Sequence, residues 1–120
     1  MNVHTQGKYL TLDWDDTTYE ECMDRLEKLH LYHSDIKKLV YRQSAGKRGY
    51  HVQCWFNCNV SIPLMRFKLQ DDPRRLLHDI FNRPDYIHGI LWRRKTIEGE
   101  VYEAGPWLEY PQQLSIRSLN

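Results

Sequence analysis

The sequence predicts an α+β fold, with helices laid over one face of an antiparallel sheet. Three observations predict it. Residues 9–15, YLTLDWD, alternate apolar and polar side chains with the period of a half-buried strand. Residues 18–31 repeat their apolar side chains at the three-to-four spacing of an amphipathic helix. Strand-like and helix-like patterns then recur in an order that interleaves strands with helices.

Composition sets the bounds. A chain of 120 residues suits one domain, and 41% apolar content allows a core that needs neither disulfide nor structural metal. The whole chain reads as one domain, with a core over about 9–95 and an extension over 96–120. A formal charge of +1 argues against a polybasic binder, while leaving room for a local basic face. Three cysteines, Cys22, Cys54 and Cys58, with no signal-like leader ahead of them, lead us to expect a reduced, cytoplasmic setting. No apolar run approaches the ~20 residues of a membrane span.

In the first strand Leu10, Leu12 and Trp14 share one side, and Thr11, Asp13 and Asp15 the other. Thr17 and Thr18 each precede a glutamate by three positions, two alternative capping boxes, and Asp16 is a further capping candidate. Tyr19, Cys22, Met23, Leu26 and Leu29 then form the inward stripe of the helix. Residues 36–44 read as a second strand, SAGKRG (44–49) as a loop, and 50–58 as a third strand. On that third strand Val52, Cys54, Phe56 and Cys58 share a face predicted to enter the core, while His51, Gln53 and Trp55 share the other.

A helix is expected from Pro63. A clearer one follows Asp72, its N-cap, with Pro73 at the first helical position and Leu76, Leu77, Ile80 and Phe81 as its apolar face. Residues 88–95 are expected as a fourth strand, and 96–110 as a hairpin centred on Gly99. The order strand, helix, strand, strand, helix, strand is the split βαβ pattern of ferredoxin-like and RRM-like folds. It would leave Asp13 and Asp15 on an open, solvated sheet face, where charge costs little.

Two constellations carry chemistry. Asp13 and Asp15 stand two apart on a strand, so they point the same way with Cα atoms roughly 6.5–7 Å apart. Either they are solvated surface acids, or a divalent cation removes their mutual repulsion. The loop SAGKRGYHV, 44–52, offers glycine backbone, the Ser44 hydroxyl, Lys47 and Arg48, and then His51 on the strand. It is either a solvated turn or a cradle for an anion beside the aspartates. Trp55, with Trp92, Arg93 and Arg94, could form a stacking and phosphate-binding surface for single strands. No His-x-His pair occurs, which argues against a rolling-circle nuclease on the same kind of sheet.

Taken together, YLTLDWD and SAGKRGYHV resemble the first two motifs of the archaeo-eukaryotic primase superfamily, the primases and primase-polymerases, whose catalytic core is RRM-like. The resemblance implies that Asp13 and Asp15 bind catalytic Mg²⁺ or Mn²⁺. It implies that Ser44, Lys47, Arg48 and His51 bind the phosphates of an incoming nucleoside triphosphate. It further implies metal-dependent nucleotidyl transfer on a single-stranded or template nucleic acid, with a larger replication subunit as a conceivable partner. The family's third motif, an apolar residue followed by aspartate, is matched only by Asp79 in LLHD, within the predicted helix. The competing reading is a non-catalytic nucleic-acid-binding or replication-accessory module of the same fold.

Overall fold

The computed structural model describes residues 5–46 and 48–111; Lys47, one of the expected phosphate ligands, and 112–120 lie outside the described residues. The elements are β1 (Gln6–Asp15), α1 (Tyr19–Tyr32), β2 (Ile36–Gln43), β3 (Gly49–Ser61), α2 (Ile62–Lys68), α3 (Pro73–Asn82), β4 (Arg94–Ile97), β5 (Glu100–Glu103) and β6 (Leu108–Tyr110). The fold is α+β. One antiparallel sheet has the order β1-β3-β2-β6, and β4 and β5 form a separate hairpin.

Local chemistry explains most boundaries. Of the two candidate boxes, the second supplies the cap: Thr18 Oγ1 accepts from Glu21 N–H and donates to the Glu21 carboxylate. Thr18, rather than Asp16, is therefore the cap, and Asp16 takes the left-handed turn between β1 and α1 at φ 49°. Asp72 caps α3 by accepting from Arg74 N–H at 3.0 Å, with Pro73 at the start of the helix. The hairpin turns at Glu98 and Gly99, both at positive φ, as the glycine predicted.

Leu10, Leu12 and Trp14 are buried with Val52, Cys54 and Phe56 of β3, under Cys22, Leu26 and Leu29 of α1 and Ile62 of α2. The alternation read from the sequence holds there. Cys58 departs from it and is exposed. The β1–β3 register slips between Gly7 and Tyr9, which takes residues 57–59 out of the alternation before Val60 pairs again.

Two expectations need correction. Residues 88–95 do not add a continuous fourth strand. Their hydrogen bonds with β1 are confined to Thr11, whose N–H donates to the His88 carbonyl at 2.8 Å and whose Oγ1 donates to the His88 and Gly89 carbonyls at 2.9 and 3.0 Å. The chain then leaves at Gly89, φ +92°, where any Cβ would collide with Thr11 Oγ1 and the Arg75 guanidinium. The fourth place in the sheet is filled on the opposite edge by β6, from the C-terminal extension.

The other correction concerns α3. It does not lie over the core with α1 and α2 but stands at the free edge of β1, where Asp72 N–H donates to the Asp13 carbonyl at 3.1 Å. Of its expected apolar stripe only Leu76 is buried; Leu77, Ile80 and Phe81 are exposed and Asp79 is turned inward. A buried arginine on α2 draws it in, as described below.

Candidate functional site

The polar face of β1 and β3 forms the floor of an open cleft of about 810 Å³. Residues 44–46 and 48, the start and side of α3, and the β4 strand wall it. Cross-strand pairing sets Asp13 opposite His51, and His51 opposite Arg42 on its other side. Gly49 lets the strands close at this end: a Cβ there would strike the Trp14 carbonyl. Ser44 N–H donates to Gly49 O at 3.0 Å, which closes the loop that delivers Arg48 and His51.

The acids are less solvated than the sequence led us to expect. Walled by α3, the side chain of Asp13 is only 23% exposed, and its Oδ1 is buried without a hydrogen-bond partner. Burial first, then the charge of Asp15, pushes its carboxyl up to about 7, with Asp71 and Asp72 adding and Arg75 opposing. Asp15 is also raised, by burial and then by Asp72, whose carboxyl lies within hydrogen-bonding reach, with Lys95 opposing. Asp13, Asp15 and Asp72 therefore crowd this end of the cleft, with Asp16 adding to the charge around Asp15.

Asp72 was read only as a helix cap. Its approach to Asp15 was hidden because the 56 residues between the two carry no periodic signal for it. Asp79, the third acid suggested by the motif, lines the cleft wall, but its Oδ2 accepts from the buried Arg66 Nη1 at 2.9 Å.

His51 is 5% exposed, and its Nδ1 accepts from Arg42 Nε at 3.0 Å. Burial, then Arg42 and Arg75, lower its pKa to about 4, so it is neutral near pH 7. Its Nε2 lies 3.9 Å from Asp13 Oδ1, too far for a hydrogen bond. With His51 neutral, the contact is not an ion pair.

A second charge cluster fixes the scaffold. Arg66, fully buried, donates through Nε to Asp71 at 2.6 Å and through Nη1 to Asp79 at 2.9 Å and to Ile87 O at 2.7 Å. Arg75 donates to both Asp71 oxygens at 2.8 and 2.9 Å. Asp71 Oδ1 in turn accepts from Asp13 N–H at 2.8 Å. Two guanidinium groups and two carboxylates thus tie α2, α3 and the 87–89 segment to the edge of β1, and so place Asp13 and Asp72 together.

Ser44, Arg48, His51 and Arg94 reach the same cleft as Asp13 and Asp15. Arg94 is paired with Glu103 at 2.9 Å. Trp55 lies outside the cleft, further along the sheet face, 5.0 Å from the Tyr9 ring with Lys38 above it at 5.2 Å. Arg93 lines an adjoining cavity of about 330 Å³ with Tyr9, Gln53 and Trp107. Arg42 was overlooked, although counting back from the loop ends at Ser44 and Gly49 pairs it with His51.

Among the described residues, no three His, Cys, Asp or Glu side chains are grouped closely enough to hold a metal ion as they stand. No helix there is long and apolar enough to cross a membrane. No family model, curated protein or solved structure matches this chain.

Proposed function

We propose that the cleft binds a nucleoside triphosphate with a divalent cation, and that the chain is a primase-like nucleotidyltransferase acting on a single-stranded or template nucleic acid. On this reading the fold is a βαββαβ, RRM-like plan whose last strand is reduced to the contacts of His88 and Gly89 with Thr11 of β1. The observation that carries the proposal is the meeting of the two sequence constellations. Asp13 and His51 are direct cross-strand neighbours, with Asp15, Ser44 and Arg48 in the same cleft.

The donors fit a hard cation. All are carboxylate oxygens, and Asp13 Oδ1 is buried without a partner. Asp13 and Asp15 would hold Mg²⁺ or Mn²⁺, with Asp72 as the third acid beside them. Bound there, the ion would supply positive charge against the triphosphate and the acids. Arg48 would bind phosphate oxygens, and His51 would donate to one. Arg94, released from Glu103, and the Tyr9–Trp55 surface would meet the strand.

A second reading has its own observation: the three carboxylates do not converge on one point. A module that binds nucleotide or strand without transfer would need no such convergence.

The test is Mn²⁺-dependent binding of a labelled nucleoside triphosphate, followed by primer extension on a single-stranded template. His51→Ala and Arg48→Ala should each weaken binding by about 1.5–3 kcal/mol, and Asp13→Asn should remove the cation dependence. Binding without extension selects the module. Equal binding by every variant, with or without Mn²⁺, sinks both readings of the cleft.

A further inference from the structure

Arg42 and His51 face each other across β2 and β3. Both are buried, at 7% and 5% exposure, and Arg42 Nε stands 3.0 Å from His51 Nδ1. An arginine Nε always carries its proton, so Nδ1 can take part only as a lone-pair acceptor. An imidazolium, with N–H on both nitrogens, could not make this bond. On the far side, the Arg42 guanidinium stacks on Trp107 with 4.2 Å from its carbon to the ring centroid. Trp107 precedes β6, and Gly105 N–H donates to Gln43 O at 2.9 Å, which pins that segment beside Arg42.

We infer that Arg42 is a positioning residue: clamped by Trp107, it holds the His51 imidazole as the neutral Nε2–H form, with that N–H directed toward the Asp13 end of the cleft. Its use rests on the nucleotide reading above, while its geometry does not. The Nε2–H is not spent on Asp13, since 3.9 Å is beyond hydrogen-bond range. It remains a donor for an anionic oxygen entering between the loop and the acids. A lysine would not serve in place of Arg42, because it lacks both the planar stacking surface and an in-plane Nε donor. The C-terminal extension, outside the motif-bearing core, thereby takes part in the site through Trp107.

The test uses the full chain labelled with ¹⁵N at histidine and begins without nucleotide. Long-range ¹H–¹⁵N correlation near neutral pH should show His51 with Nδ1 unprotonated and Nε2 protonated. Arg42→Met should convert this to a mixture of tautomers, and Trp107→Leu should shift it less. If Arg42→Met does not fold, the wild-type spectrum and Trp107→Leu decide.

Binding of a labelled nucleoside triphosphate supplies the second readout. His51→Gln, whose amide reaches the Nε2 position, should recover most of the affinity that His51→Ala loses. His51→Asn, whose amide sits at the Nδ1 position, should lose roughly ten- to a hundredfold. An Nδ1–H form in the wild type overturns the inference. So does a wild-type tautomer retained in folded Arg42→Met, or in Trp107→Leu with unchanged affinity. A wild type that shows the Nε2–H form, responds to both variants and binds no triphosphate overturns the nucleotide reading alone.

Discussion

Two groups of carboxylates lie side by side at the edge of β1, and they are treated in opposite ways. Asp71 and Asp79 are buried and matched by Arg66 and Arg75. Asp13, Asp15 and Asp72 crowd together, and among the described residues no cation stands within ion-pairing distance of Asp13, whose neighbour His51 is neutral. The first group spends its charge on holding α2, α3 and β1 in place. The second keeps unneutralised charge at a cleft, an arrangement that favours proton uptake or a bound cation. The same residue type thus builds scaffold in one place and a candidate site in the next. The difference is whether a guanidinium shares the burial.

The largest expected effect breaks the matched group. Arg66→Met leaves Asp71 and Asp79 buried without their central partner, and should cost about 3–5 kcal/mol of stability. Denaturant unfolding measures it. A loss below about 1 kcal/mol would mean that the guanidinium network is not what holds this edge together.

A smaller effect separates the two acids that compete for the third place in the site. Asp79→Asn should lose about 1–3 kcal/mol of stability and leave Mn²⁺ affinity nearly unchanged. Asp72→Asn keeps a good helix cap, so stability should hold within about 0.5 kcal/mol, while Mn²⁺ affinity falls about 10–100-fold. Calorimetric titration beside denaturant unfolding reads both quantities. The opposite pattern would move Asp79 into the site and Asp72 out of it.

The smallest effect is a pH dependence, read without metal as wild type against Asp13→Asn. The folded Asp13 carboxyl is raised to about 7 from 3.8, so between those values the folded state holds a proton that the unfolded state has released. Its contribution to stability therefore falls as pH rises through that window. His51, lowered to about 4 from 6.5, works the other way, because the unfolded state holds the extra proton and stability rises with pH. The two slopes oppose each other in the wild type. Removing the first should make Asp13→Asn gain on the wild type from pH 4 to pH 7, by at least ~1.4 kcal/mol, the equivalent of one pKa unit. A constant difference across that range would show that Asp13 is not uncompensated after all.

Much of the scaffold and half of the candidate site were legible in the chain. Period-two alternation placed Leu10, Leu12 and Trp14 inward, and the same rule put Asp13, His51 and Gln53 together on the other face. It worked because burial of one sheet face leaves a strand no other register. The loop between Ser44 and Gly49 also determined, by counting, that Arg42 opposes His51. Alternation failed at Cys58, where the register slips, and at residues 88–95, where Gly89 turns the chain away from β1.

Local pattern by itself determined which side chains share a strand face and where helices begin, since those follow from the geometry of neighbouring residues. Only the tertiary structure decided that Asp72 joins Asp15, that Arg66 withdraws Asp79, that α3 walls the cleft and shields Asp13 from water, and that Trp107 clamps Arg42. Each of these depends on contacts between residues far apart in the chain, and on how much water the folded surface leaves around a charge. Neither quantity has a period that a sequence can display.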